Sequence, residues 1–175
     1  MTRYVLYALA AIVGFVLIVV IVGWSLPVSH TASGSITVRA PAESVFALIS
    51  KFPEYPRWRS GVTRIEVIPD AGPFRFREHG PDGTILFEVE QNDPPTRLVT
   101  RIADPGLPFG GRWIYEVRPA GAGTELRITE EGEVYNPVFR IVSRFLMGHD
   151  RTVKRYLGDV ERALAESGSA NDNSR

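Results

Sequence analysis

The sequence of 175 residues predicts an α+β domain of two layers, in which a curved antiparallel sheet of about six to seven strands wraps around a long C-terminal helix, preceded by one transmembrane helix. Three observations predict this fold class. A charge-free apolar run opens the chain, alternating segments separated by Gly and Pro turns fill its middle, and an apolar stripe at helical spacing closes it. Short turns between consecutive strands favour an antiparallel meander, whose apolar face packs on the helix.

The apolar run at the N-terminus covers residues 4–26 and contains no charged residue. A helix of this length extends about 34 Å, which is enough to cross a hydrocarbon core of about 30 Å. A signal peptide has a shorter apolar region of roughly 7–15 residues, followed by an A-x-A-like cleavage site. Tyr4 and Trp24 flank the run as interfacial aromatic residues do, and Pro27 follows it. We therefore expect an uncleaved anchor in residues 1–27.

The flanking charges predict the orientation of this anchor. Arg3 and the amino terminus precede the apolar run, whereas the first Lys or Arg after it is Arg39. The positive-inside rule then places the N-terminus in the cytoplasm and residues 28–175 outside. The prediction is a single-pass membrane protein with an extracytoplasmic domain.

The composition excludes several classes of function. The 20 basic and 20 acidic residues cancel, so the chain lacks the basic excess of a nucleic-acid-binding surface. It has no cysteine, which excludes disulfides, thiolate catalysis and Cys-based zinc sites. About 145 residues remain outside the anchor, enough for one domain with its own core.

The folded domain is predicted to span residues 35–166, after a polar linker at 28–34. The string GSITVRA predicts its first strand. Pro41 and Glu43 suit the first turn of a helix, and apolar residues recur at helical spacing over 41–51. The string PEYPRWRSG that follows predicts a loop or a broken second helix.

The middle of the chain predicts the rest of the sheet. Six segments alternate apolar and polar residues or are bounded by turns, namely VTRIEVI, PFRFRE, TILFEVE, TRLVTRIA, RWIYEV and TELRITEEGEV. Gly80-Pro81-Asp82-Gly83 is a strong hairpin signal, and the glycines at 121 and 123 predict another hairpin turn rather than a phosphate-binding loop.

The end of the chain predicts one long amphipathic helix. Asn136 suits the N-cap and Pro137 the first helical position. A stripe at a spacing of three or four residues comprises Val138, Val142, Phe145, His149, Val153, Tyr156, Val160 and Leu164. The polar residues 167–175 predict a disordered tail.

Three strings carry a family resemblance: ITVRAPAESVFALISKFPEYPRW, ADPGLPFGGRWIYEVRPAGAGTELRITEEGEV and NPVFRIVSRFLMGHDRTVKRYLGDVERAL. With the order of elements, they resemble the SRPBCC superfamily, the START-like, helix-grip fold of polyketide cyclase/dehydrase-like proteins, over roughly residues 34–166. The resemblance implies a deep apolar cavity between sheet and helix, which in many members holds a lipid, sterol, hormone or polyketide. It implies no shared catalytic set, so we carry over no catalytic residue and expect no cofactor.

Strand alternation and the helical stripe assign the side chains of this cavity. The predicted cavity residues are Phe74, Phe76, Phe87, Val89, Trp113, Tyr115, Ile128, Glu130, Phe145 and His149. The aromatic residues of two loops, with a neighbouring leucine, are predicted to form its entrance: Tyr55, Trp58, Leu107 and Phe109.

Two carboxylates, Glu78 and Glu130, fall on strand faces that are otherwise apolar. Burial raises the pKa of a carboxyl group, so either residue is a candidate general acid or base. The alternatives are a polar contact to a ligand, a strand end open to water at Glu78, and a bulge near Gly132 that turns Glu130 outward.

The remaining polar candidates carry weaker signals. His30, His79 and His149 lie far apart without metal-ligand spacing, so we expect no metal site. His149 is either a hydrogen-bonded core residue or a ligand contact. Arg57 and Arg59 flank Trp58 and suit either an anionic head group or a solvated loop.

The sequence leads to three functional hypotheses. The first is a membrane-anchored carrier or sensor that binds an apolar small molecule or lipid in an internal cavity. The second is a cyclase- or dehydratase-like enzyme that uses a cavity glutamate as acid or base. The third is a structural adaptor whose cavity is filled by its own side chains.

Overall fold

The computed structural model describes residues 2–69, 72–81, 83–144 and 151–172. The helices are α1 (Thr2–Ser25), α2 (Ala42–Ser50), α3 (Tyr55–Trp58), α4 (Pro137–Val142) and α5 (Arg151–Asp172), with a 3-10 turn at Phe52–Glu54. The strands are β1 (Ser29–Val38), β2 (Arg64–Ile68), β3 (Arg75–Gly80), β4 (Gly83–Asp93), β5 (Arg97–Ile102), β6 (Phe109–Ala120) and β7 (Gly123–Val134). The predicted fold class, a curved antiparallel sheet with a C-terminal helix, is confirmed.

The seven strands form one antiparallel sheet in the order β1-β7-β6-β5-β4-β3-β2. The chain runs through consecutive hairpins from β2 to β7, so these neighbours in space are neighbours in sequence. β1 lies beside β7 and closes the opposite edge. The hairpin predicted at 121–123 is present, and Gly121 has a φ of 57°, which a glycine adopts without a Cβ clash.

The core lies between the concave face of the sheet, α2 and α5. Helices contribute Val45, Ile49, Val153 and Val160, and strands contribute Leu98, Val117, Leu126 and Ile128, all of them almost fully buried. Of the predicted apolar stripe, Val153, Tyr156 and Val160 are buried in α5 and Leu164 is half-buried, while Leu157, Asp159 and Ala163 are buried in addition. The predicted single C-terminal helix is described as α4 and α5, and Phe145 and His149 lie outside the described residues.

The N-cap of α4 forms as the sequence predicts. The Asn136 Oδ1 accepts hydrogen bonds from the backbone N–H groups of Val138 and Phe139, at 2.9 and 3.1 Å. These two donors have no partner inside the helix, so the cap stabilises its first turn.

The polar segment before residue 35 differs from the prediction. Instead of a linker, residues 29–34 form the first part of β1 and pair with β7, from Ser29 opposite Glu133 to Gly34 opposite Ile128. The segment lacks apolar alternation because β1 is an edge strand with only Ala32 buried among these residues. The strand therefore begins four residues after α1 ends.

The C-terminal tail also differs from the prediction. Helix α5 continues to Asp172, beyond the predicted domain end at 166, and residues 173–175 of the predicted tail lie outside the described residues. Ser167 donates its hydroxyl to the carbonyl oxygen of Ala163, one turn earlier in the helix. The stretch lacks proline, so nothing in its covalent geometry stops the helix.

Helix α1 differs from the helices of the core in its exposure. Its segment Arg3–Ser25, of 23 residues, is long and apolar enough to cross a membrane. Most of its large apolar side chains are exposed, including Phe15 at 67% and Ile21 at 67%. A core helix of a soluble domain would bury such side chains, and α1 does not.

Candidate functional site

A cavity of about 320 Å³ lies between the sheet and α5. Its apolar wall is aromatic. The rings of Phe52 and Phe76 stack at a centroid distance of 4.3 Å, and Phe76 stacks on Phe87 at 5.4 Å. Trp113 and Tyr115 line the wall from β6. This lining suits the body of an apolar small molecule, because ligand sites of about 300–1000 Å³ are mostly apolar with a few placed polar groups.

Three tyrosines form a buried polar cluster at one side of the cavity. Tyr55 donates its hydroxyl to the carbonyl oxygen of Ile49 at 2.6 Å, and its oxygen lies 3.2 Å from that of Tyr156. Burial raises the pKa of Tyr55 and Tyr156 well above the usual value, and raises that of Tyr115 to about 12. All three therefore stay protonated at neutral pH.

An ion pair stands beside this cluster. The Arg59 Nη1 lies 2.5 Å from the Glu78 Oε2, and both side chains are less than one-fifth exposed. The guanidinium lies 4.8 Å from the ring centroid of Tyr55 and 4.7 Å from that of Tyr156. Burial lowers the pKa of Arg59, but the Glu78 carboxylate and the tyrosines outweigh it and raise the pKa overall. Glu78 is thus held as one half of a fixed pair.

Among the described residues that line the cavity, Glu130 has a side-chain oxygen with unused hydrogen-bonding capacity. It lines the cavity opposite Trp113, and its Oε2 is buried without a hydrogen-bond partner among the described residues. Burial raises its pKa from 4.5 to about 7, against a smaller lowering by a hydrogen bond from Trp113. Near neutral pH this carboxyl can therefore either donate a hydrogen bond to a ligand or accept one.

His30 lies next to Glu130 at the β1 side of the cavity. The His30 Nε2 is 3.9 Å from the Glu130 Oε1. The imidazole covers Gly132, where a Cβ would overlap the ring. Gly132 keeps its place in the β6–β7 register opposite Gly111, so no bulge turns Glu130 outward.

The predicted cavity residues separate into three groups. Those that line the cavity are Phe76, Phe87, Trp113, Tyr115 and Glu130, together with the acid–base candidate Glu78. Phe74, Val89 and Ile128 do not line it. Phe74 lies on the same face as Phe76 and stacks on Phe52, but it precedes the first residue of β3 and is 45% exposed. Val89 packs against the core and Ile128 is fully buried within it. Phe145 and His149 lie outside the described residues.

The predicted entrance residues mostly point inward. Tyr55 is buried, and Trp58 packs edge-on against Tyr55 and Tyr156. Leu107 is half-buried away from the cavity lining, and Phe109 is the member of this group that lines the cavity with Tyr55. The difference arises because the 3-10 turn and α3 fold the proline-rich string back onto α5.

Arg59 and His30 are among the residues that line the cavity without having been predicted to do so. Arg59 was predicted as a solvated or head-group-binding residue, yet it turns inward, while Arg57 is exposed and pairs with Glu54. His30 was placed in the linker. Apolar periodicity does not predict that Arg59 or His30 lines the cavity. The spacing of Arg57 and Arg59 around Trp58 does allow one of them to face solvent and the other to face inward. Within residues 2–69, 72–81, 83–144 and 151–172, no three His, Asp or Glu side chains converge as a metal site.

Similar proteins share this fold across most of the chain. Three solved structures illustrate it: a START superfamily protein from Mycobacterium smegmatis, the di-domain ARO/CYC StfQ of the steffimycin biosynthetic pathway, and a norcoclaurine synthase point mutant from Thalictrum flavum. They are 20%, 15% and 13% identical, with TM-scores of 0.57, 0.62 and 0.64. The matches cover 77%, 82% and 81% of this chain, and 99%, 53% and 97% of those chains. At such identities the likeness shows the fold alone.

The family follows from the sequence itself. No curated protein matches the chain significantly. A family model described as "Polyketide cyclase / dehydrase and lipid transport" matches residues 29–166, from the first residue of β1 into α5. The chain therefore belongs to the polyketide cyclase/dehydrase and lipid transport family, within the START-like SRPBCC superfamily.

Proposed function

We propose that this protein is a membrane-anchored carrier or sensor that binds one apolar small molecule or lipid in the cavity between sheet and α5. The observation that carries the proposal is the cavity itself: aromatic walls, with the unpartnered carboxyl oxygen of Glu130 facing them. Burying an apolar ligand there contributes about 25 cal/mol per Å² of surface removed from water, before the cost of ordering.

Two sets of polar groups in the cavity would contact different parts of a ligand. The Arg59–Glu78 pair and the tyrosine cluster already use their hydrogen-bonding groups among themselves. They therefore favour an apolar end of the ligand, which needs no hydrogen bond. Glu130 and the nearby His30 instead offer a hydrogen bond to a hydroxyl, carbonyl or amine group. The volume of about 320 Å³ lies at the lower end of small-molecule sites, which favours a compact ligand.

Native mass spectrometry of the full-length protein in mild detergent tests ligand binding. After incubation with a membrane lipid extract, the wild type should carry an apolar adduct that denaturation releases. Ile85→Trp narrows the cavity, because Ile85 lines it, and should lose the adduct. Leu86→Trp, on the opposite face of the same strand, should keep it. A bare wild-type mass, or equal uptake by both variants, contradicts the proposal.

The near-neutral pKa of Glu130 favours a second function, acid–base catalysis on a bound substrate. A carboxyl with a pKa near the working pH exchanges protons effectively in either direction. Glu130→Gln should then reduce turnover of the molecule found by mass spectrometry by about 10²–10⁴-fold while leaving its binding measurable. Unchanged turnover, or no conversion by the wild type, rejects the enzyme. The adaptor hypothesis loses support, since it requires a cavity closed by side chains.

The proposed arrangement in the membrane follows the flanking charges. Helix α1 is the anchor, its N-terminus lies in the cytoplasm, and the ligand-binding domain lies outside. A reporter fused after Arg175 that is active only in an extracytoplasmic compartment supports this orientation. A reporter active only in the cytoplasm reverses it.

A further inference from the structure

The C-terminal end of α1 is bonded to the short helix α4. The Arg140 Nη1 donates to the carbonyl oxygens of Gly23 and Leu26, each at 3.3 Å. Its Nε donates to the carbonyl oxygen of Val134 at 2.8 Å, and its Nη2 to that of Tyr135 at 3.0 Å. One guanidinium thus joins two backbone carbonyls at the end of α1 to two at the junction of β7 and α4.

This contact satisfies groups that a helix end leaves open. The last four carbonyl groups of an α-helix lack partners within it and form the negative end of its dipole, where a cation is favourable. The planar guanidinium has five N–H donors and can serve four acceptors at once, which an ammonium group cannot. Gly23 is buried where a Cβ would overlap the backbone of Pro137, so α1 and α4 touch closely.

The same short helix also lines the cavity. Phe139, the residue before Arg140, lies in the cavity wall, and its ring stacks on that of Phe109 at a centroid distance of 6.2 Å. His30, the second residue of β1, lines the same region. We name the part of the cavity bounded by His30, Phe109 and Phe139 its α4 end. The α4 end and the end of α1 are therefore held together by adjacent residues.

Exposed apolar side chains gather at this junction. Outside α1, the large apolar residues described as exposed are Val28, Val67, Phe74, Tyr135 and Val138. Three of them, Val28, Tyr135 and Val138, lie at the junction between α1, β7 and α4. Trp24, at the end of α1, is 74% exposed. An aromatic and apolar belt beside a spanning helix is the composition of a membrane–water interface.

The chain connection keeps this belt close to the lipid. Residues 26–28 separate α1 from β1 and reach at most roughly 11 Å when extended. We propose that the junction formed by Trp24, Val28, Tyr135 and Val138 rests on the bilayer, so that the α4 end of the cavity exchanges its ligand directly with the membrane. Arg140 is the positioning residue that fixes this arrangement. The inference rests on the proposed anchoring and ligand binding.

A spin label tests the docking without any ligand. The chain has no cysteine, so Val138→Cys and Val67→Cys each give a single labelling site in the full-length protein. The two side chains are similarly exposed, at 44% and 41%, but Val67 lies on the sheet edge opposite β1. In nanodiscs of phosphatidylcholine and phosphatidylglycerol, the label at 138 should collide more with oxygen than with a water-soluble nickel chelate. The label at 67 should show the reverse.

A transfer assay tests the exchange. The probe is cis-parinaric acid preloaded in the nanodisc lipid or in detergent micelles, and binding is followed by energy transfer from tryptophan. Arg140→Ala removes all four hydrogen bonds and should slow loading from nanodiscs by at least about tenfold, the factor that the loss of even one charge-assisted hydrogen bond would give. Arg140→Lys keeps the charge but not the four-carbonyl geometry, and should also load slowly. Equilibrium binding of the probe in detergent should stay unchanged in both variants.

The outcomes separate this inference from the proposed function. Water-like accessibility at 138 overturns the docking whether or not the probe binds. Loading of Arg140→Ala or Arg140→Lys at the wild-type rate overturns the positioning role. If the wild type binds no probe in detergent and also gains no adduct from the lipid extract, the proposed function fails, and the label at 138 still decides the docking.

Discussion

Replacing Glu130 with glutamine measures how strongly the cavity desolvates this carboxyl. Burial raises its pKa in the folded protein from the ordinary 4.5 to about 7. Between these two values the folded state binds more protons than the unfolded state. The wild type should therefore lose stability as the pH rises from 4.5 to 7, and the loss is complete above pH 7. Glutamine keeps the shape of the side chain but cannot ionise.

The expected size of the effect follows from the same pKa values. A rise from 4.5 to about 7 corresponds to about 3 kcal/mol, at about 1.4 kcal/mol for each tenfold change in proton affinity. The side chain is 20% exposed, so water reduces this figure. We expect Glu130→Gln to be more stable than the wild type by about 1–2 kcal/mol at pH 8 and nearly equal to it at pH 4.5.

Urea unfolding of the full-length protein in one detergent, followed by tryptophan fluorescence at several pH values, gives the assay. Glu131→Gln is the matched control, because Glu131 is the next residue of β7 and its side chain is 52% exposed on the other face. Its difference from the wild type should stay small at every pH. A Glu130→Gln difference that does not change with pH, or a loss of stability at pH 8, refutes a desolvated carboxyl.

Three further predictions use the same unfolding assay. Arg59→Met leaves Glu78 buried without its cation and should lower the free energy of unfolding by about 3–5 kcal/mol. Adding Glu78→Gln should recover part of this loss. A loss below about 1 kcal/mol would mean that water solvates the pair. Asn136→Ala removes both capping hydrogen bonds of α4 and should cost about 1 kcal/mol, and an unchanged midpoint rejects the cap. Glycine-to-alanine changes should have opposite signs at two sites. Gly111→Ala should lower the free energy of unfolding by about 1–2 kcal/mol, because Gly111 has a φ of 129°. Gly158→Ala should raise it by about 0.5–1 kcal/mol, because Gly158 lies in a helix with open space where the Cβ would be. Changes of the same sign at the two sites contradict this assignment.

The sequence predicts the sheet and much of the cavity wall because alternation is a local property. Phe76, Phe87, Trp113, Tyr115 and Glu130 each lie inside a strand, where the side chains of every second residue share a face. Alternation does not show where a strand ends, which is why Phe74, one residue before β3, lies on the predicted face but is 45% exposed and does not line the cavity.

Local sequence patterns do not predict contacts between distant segments. The partner of Arg59 is 19 residues away on another element, and nothing in either local string indicates the pair. His30 was missed because an edge strand of Ser, Thr and Gly has the composition of a linker. The four carbonyls that Arg140 contacts are backbone groups, which every residue possesses, so no side-chain pattern marks them.

The two edges of the sheet bear on how copies of this protein would meet if α1 anchors them in one membrane, as proposed. An open sheet exposes unpaired N–H and C=O groups along its outer strands, and a second copy held at the same height presents the same groups. β2 is five residues long and carries Arg64 and Glu66, which discourage pairing with another strand. β1 is long, but its first residue follows the end of α1 by only a short connection. In the proposed membrane arrangement, one edge of each copy carries charged side chains and the other begins close to the anchor, which disfavours edge-to-edge aggregation.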